Sequence, residues 1–170
     1  MGKRRQAREL ALQALYFLEE QRGDPEQALD LFCRNFMPPR KCRPFFLELV
    51  RGVQQTRADI DRIVESYSDH WKVFRMPRVD RNVIRVAVYE MLWLEDIPSK
   101  VSINEAIDIG KRFGTDDSGA FINGILDRVR LALEKGEIDK PVGTHPAEAP
   151  ASAQADQQTT KNASGGSGDY

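Results

Sequence analysis

Four cations, Lys3, Arg4, Arg5 and Arg8, stand in the first eight residues before Glu9 opposes them. Guanidinium groups fork onto phosphate oxygens and stack on bases, a chemistry that suits single-stranded RNA. The spacing puts Arg4 and Arg8 on one helix face. That face lies off the apolar stripe Ala7, Leu10, Ala11 and Ala14 and is expected in solvent. Cations at a helix start oppose the macrodipole by about 0.3 kcal/mol or more each, so a cluster kept there points to a use; an ordinary solvated helix start is the plainer alternative. Arg78, Arg81 and Arg85 form a second basic group, fit either to extend an RNA track or to pair with neighbouring acids. Tyr16, Phe17 and Phe121 are aromatics placed to stack on a base, fill a partner's pocket or join the core.

Other chemistry is not indicated. His145 falls in a polar C-terminal stretch, which leaves His70 alone in the body without a neighbouring Cys or His, a poor metal ligand. There is no Walker loop, dinucleotide fingerprint or nucleophile elbow. Gly114-Thr115-Asp116-Asp117-Ser118-Gly119 resembles a phosphate loop in composition only, because it joins two helices. No catalytic residue, metal or cofactor is expected.

The elements that carry these residues are helical. A first helix runs to about Arg22 and stops at Gly23, and Asp24-Pro25 caps and opens a second that buries Ala28, Leu29, Phe32, Cys33 and Phe36. From Pro44 a stripe of Phe45, Phe46, Leu49, Val50 and Val53 continues through Ile60, Ile63, Val64 and Tyr67, as one long helix or two with a bend near Thr56. Trp71 to Arg78 reads as a connection. Asp80 is expected to cap the next helix, which carries Ile84, Ala87, Val88, Met91 and Leu92 up to Pro98. Ser102-Ile103-Asn104-Glu105 has the pattern of a capping box, and a last helix presents Ile122, Ile125, Leu126, Val129 and Leu133. Gly124 inside it costs about 1 kcal/mol relative to Ala, for which close helix packing is the expected compensation. Six or seven short-linked helices make an all-α domain.

That domain is expected to span residues 1–136, with 137–170 a disordered tail too poor in large apolar side chains to offset the entropy of ordering. The tail holds five acids and two lysines, a net of −3, so a chain of net charge −1 has a body at +2. This balance argues against coating nucleic acid through bulk charge. No run approaches the roughly 18 consecutive apolar residues of a membrane span, and the charged N-terminus is unlike a signal peptide. Cys33 and Cys42 are expected as reduced thiols of a soluble cytoplasmic protein.

Beyond periodicity, Arg4-Arg5-Gln6-Ala7-Arg8-Glu9 followed by Ala14-Leu15-Tyr16 resembles the opening of the NusB family of bacterial transcription antitermination factors. The resemblance strengthens from Asp80 to Asp127, above all in IPSKVSINEAI, the Phe113-Gly114 turn and FINGILD, and covers roughly residues 3–135. It implies two packed three-helix bundles. It also implies binding of boxA RNA in ribosomal-RNA leader transcripts, together with a small-subunit ribosomal protein that doubles as the factor NusE, in an antitermination complex with RNA polymerase. By position, Lys3, Arg4, Arg5 and Arg8 match the family's basic RNA contacts, and Arg85 and Phe121 match positions on or beside the RNA track. Tyr16 and Asp80 match the side facing the ribosomal protein, with Asp117 in a loop linked to the same assembly.

There are three departures from the pattern. Gln6 interrupts an arginine run, Gly119-Ala120 stand where some members carry a polar or basic pair, and Gly110 replaces the more usual alanine. The alternative reading is a protein-interaction or homodimerisation module whose arginines are only solvated, with Phe17, Phe32 and Phe36 as apolar material. Similar helical domains also precede RNA methyltransferases, but no cofactor-binding α/β domain follows here, so catalysis is not expected.

Overall fold

A computed structural model describes residues 2–69 and 71–142. His70 and His145 lie outside these, as does the expected tail from residue 143 onward. The described residues form six α-helices: α1 (Lys3–Glu20), α2 (Pro25–Phe36), α3 (Arg43–Ser66), α4 (Arg78–Trp93), α5 (Ser99–Phe113) and α6 (Ser118–Glu134). A short 3-10 turn, Val73–Arg75, lies in the connection before α4, and no strand occurs among the described residues.

Helices α1, α2 and α3 pack together as one bundle and α4, α5 and α6 as a second. The two join where α4 lies against α1 and α3. Because α4 is packed from both sides, it is buried nearly all round from Asn82 to Leu92. The buried side chains form one continuous core from Ala7 to Val129, on which Phe32, Phe46, Tyr89 and Leu126 are among the largest.

Local chemistry sets the helix ends. Asp24 accepts a hydrogen bond from the Glu26 amide at 3.3 Å with Pro25 in the first turn, and Gly23 turns the chain at φ 112°. Helix α3 is a single unbroken helix of 24 residues, and Thr56 donates to the Gly52 carbonyl at 2.7 Å without interrupting it. Helix α6 closes through Gly136 at φ 72°, where the Glu137 amide reaches back to the Ala132 carbonyl at 2.9 Å. Ile138, two residues further on, still rests partly buried against the core.

Four local expectations are corrected. Phe36, expected among the buried residues of α2, is its last residue and is 53% exposed. Helix α4 opens at Arg78, directly after Pro77, so Asp80 sits inside the first turn and not at the cap. Helix α5 opens at Ser99 after Pro98, so Ser102 is no cap either; its hydroxyl is buried and donates to Glu90 at 2.5 Å. Gly124 is exposed and a methyl group there would meet nothing within 4 Å. The close approaches fall at Gly52, whose added Cβ would lie 2.0 Å from the Tyr89 ring, and at Gly110, where it would lie 2.2 Å from Ile122 Cδ1.

Candidate nucleic-acid and partner interface

The start of α1 presents Lys3, Arg4 and Arg5 together at one end of the molecule. Arg4 stands over the Phe45 ring of α3, 5.2 Å from its centroid, and donates to Asp96 at 2.8 Å. On the neighbouring face Arg5 holds Glu105 in a two-pronged pair at 2.8 and 2.9 Å and reaches Asp108 at 2.8 Å. The hydrogen bonds to these two carboxylates lock its guanidinium in the charged form. Arg4 keeps 55% of its side-chain surface and Arg5 38%, so both remain open to an incoming anion.

Arg8 is different, and the expectation that it shares a solvated face with Arg4 is corrected. It is 5% exposed and donates to Glu90 at 2.5 and 3.3 Å, beneath the ring of Phe45. The reason lies in α1 itself. Packed against α2, α3 and α4, the helix buries Arg8, Glu9 and Leu12 as well as its alanine stripe, a face wider than apolar spacing alone reveals.

Arg85 is likewise turned inward. At 4% exposure it donates to Glu19 at 2.7 Å, to Asp61 at 2.8 and 3.0 Å and to the Asn82 side chain at 3.1 Å. Glu19 also accepts hydrogen bonds from Arg81 and Asn82. Burial pushes the Glu19 carboxyl upward, but hydrogen bonds and charge from Arg81 and Arg85 outweigh it and hold the group below its ordinary value. Glu19 is fifteen residues along α1 from Arg4, so this network lies about 22 Å from the exposed cations along the helix axis. Of the two readings of the second basic group, pairing with acids is the one the geometry supports.

The positions assigned to the partner side do converge. Tyr16 is 41% exposed with the Arg78 guanidinium 4.8 Å from its ring centroid. Asp80, in the first turn of α4, accepts from the Ser118 hydroxyl at 2.7 Å, which ties the α4 start to the α6 start beside exposed Asp117. Burial raises the Asp80 carboxyl, and the Ser118 hydrogen bond only partly opposes that. Phe121 is partly buried, with Trp71 edge-on at 5.8 Å. Trp71 is 50% exposed, and Phe74, in the 3-10 turn that follows it, is 71% exposed.

These features sit on a fold shared with known proteins. The NusB family model matches residues 5–130. The chain belongs to the NusB family. A transcription antitermination protein NusB from Desulfatibacillum aliphaticivorans is 57% identical over 137 residues, covering 81% of this chain and 96% of the relative. The solved structure of T. maritima NusB is similar with a TM-score of 0.69 and 39% identity, over 79% of this chain and 97% of that one. A chain in the crystal structure of the antitermination factors NusB and NusE in complex with dsRNA matches in fold at TM-score 0.69 and 22% identity, over 78% and 98%. The expected all-α architecture is thus present, with six α-helices and one 3-10 turn where about seven helices were expected.

Arg78 and Arg112 emerge from the structure as members of these surfaces. The sequence shows Arg78 as a cation, and the fold places it over Tyr16. Arg112, in the last turn of α5, donates to Glu9 at 2.7 Å and so stands beside the Arg5 pair. Its only sequence signal was the helical register from Glu105, seven residues before it.

Proposed function

We propose that this chain is a non-enzymatic transcription antitermination factor that binds boxA-type RNA of ribosomal-RNA leader transcripts together with the small-subunit ribosomal protein NusE. The observation that carries the proposal is near-full-length similarity to a protein named for transcription antitermination, at 57% identity. The exposed cations Lys3, Arg4 and Arg5 are the RNA grip. Phe121, a partly buried ring at the start of α6 beside Trp71, is a separate RNA-facing position, while Arg8 and Arg85 act from inside by fixing the helices. Tyr16 and Asp117 form the open part of the ribosomal-protein face, and Asp80 positions it through Ser118. The assembly acts on RNA polymerase, in the cytoplasm. No helix among the described residues is long and apolar enough to cross a membrane.

A pull-down with the ribosomal protein, with and without boxA-type RNA, tests this reading. Cooperative recruitment is expected, lost when Arg4→Ala and Arg5→Ala are combined. Recruitment indifferent to both RNA and these substitutions rejects it. A homodimer is the second reading, favoured by one observation: Leu31, Phe36 and Met37 leave the α2 end 42%, 53% and 73% exposed. A dimer that persists unchanged when RNA is added would support it.

A further inference from the structure

Between the start of α1 and the side of α5 lies an open notch of about 390 Å³, lined by Gly2, Arg5, Glu9, Asp108, Ile109 and Arg112. Each guanidinium is anchored from one side only. Arg5 spends Nε and one Nη on Glu105 and Asp108, and Arg112 spends Nη1 on Glu9 while its Cζ lies 5.1 Å from the Phe113 ring centroid. A guanidinium has five N–H donors, so among the described residues Arg112 keeps most of its own and Arg5 keeps its second Nη.

We propose that this notch seats an RNA phosphodiester, with Arg112 closing on the phosphate opposite Arg5 and Asp108 competing for the same place. The proposal rests on the RNA-binding reading above and adds a residue to it. With Glu105 counted, two arginines face three acids and the cluster becomes neutral when Asp108 turns to water, so a phosphate is held there by the unspent N–H donors of Arg112 and Arg5 and not by excess charge. Asp108 is the weaker of the Arg5 partners. It is 53% exposed and makes one hydrogen bond, whereas Glu105 is 20% exposed and grips Arg5 twice. A phosphate oxygen can therefore replace Asp108 while Glu105 keeps Arg5 in position. Gly2 lines the notch, and the exposed Lys3 and Arg4 follow it directly along the chain.

The test is fluorescence anisotropy of the full chain with a short single-stranded boxA-type RNA at several salt concentrations, with thermal unfolding as a check on folding. Arg112→Gln retains an N–H for Glu9 and is expected to weaken binding about fourfold at 0.15 M salt and lower the salt slope by about 0.7, the loss of one phosphate contact. Asp108→Asn leaves the Arg112–Glu9 pair intact and is expected to tighten binding about threefold. If both variants bind within about 1.5-fold of wild type while Arg4→Ala with Arg5→Ala weakens binding, the seat is overturned and the RNA grip stands. If the double variant is also without effect, the RNA reading falls and takes the seat with it. Loss of ribosomal-protein capture in the absence of RNA on Arg112→Gln would make the notch a protein contact and overturn the proposal.

Discussion

The guanidinium of Arg8 meets the carboxylate of Glu90 at 2.5 Å, joining the first bundle to the second across 82 positions of sequence. Glu90 is 1% exposed and receives the Ser102 hydroxyl as well, so α1, α4 and α5 converge on a single carboxylate. Removing one partner from such a pair leaves a charge stranded in the core. Arg8→Ala is expected to destabilise the fold by about 3–5 kcal/mol, read as a lowered urea midpoint. Arg8→Met with Glu90→Leu should recover most of that loss, because the desolvation of both charges is removed together.

Arg85 and the Arg4–Arg5 pair should separate stability from binding. Arg85→Ala is expected to lower the thermal midpoint, since it takes the two-pronged pair from Asp61 and one of three hydrogen-bonding partners from Glu19, leaving Arg81 and Asn82 on that carboxylate. Measured by anisotropy at low temperature, the folded fraction should still bind RNA within about twofold of wild type. Arg4→Ala with Arg5→Ala should show the reverse profile, with weakened RNA binding and a salt slope smaller by about 0.7 per lost contact.

Two buried carboxyls respond to acid in opposite senses. The Glu19 carboxyl is held below its ordinary value of 4.5, so its contribution is present above that pH and lost as pH falls through its folded-state value. Asp80 is raised above its ordinary value of 3.8, so its contribution is present below that pH and lost as pH rises through its folded-state value. Urea unfolding between pH 3.5 and 6 should show Glu19→Gln with a shallower acid loss than wild type. Over the same range Asp80→Asn should gain on wild type as pH rises.

The glycines make a matched pair. Gly124→Ala fills open space in a helix interior and should stabilise by about 0.5–1 kcal/mol. At Gly52 the same change drives a methyl into the buried Tyr89 ring and should destabilise by about 1–3 kcal/mol. Chemical denaturation of both variants checks the sign difference.

Features governed by neighbouring residues are readable from sequence: the Asp24–Pro25 start and the helical stripes of α3 and α6, whereas α1 ends at Glu20, before the expected stop at Gly23. Features governed by distant partners are not. Ser102 satisfies a local capping pattern, yet its hydroxyl serves Glu90 on another helix, and Pro98 has already set the start of α5. Arg8 and Arg85 are charged and so drop out of any apolar periodicity, although each is buried as deeply as a leucine because an acid on another helix meets it. The Lys3–Arg5 cluster is legible as a run of cations at a helix start, whereas the acids that meet Arg4 and Arg5 come from distant parts of the chain. Arg112 is not legible, since its place beside Arg5 depends on α1 and α5 running side by side.

Helix α4 is a wall common to both bundles, pinned to α1 at one end through Arg85 and Glu19 and toward the other through Glu90 and Arg8. Two such pins leave no hinge between the halves, so the molecule works as a ruler. The distance from the cationic tip of α1 to the Tyr16 corner is fixed before anything binds. On the proposed reading, a strand gripped at one mark and a protein seated at the other would be held at a preset span, with no rearrangement of the scaffold.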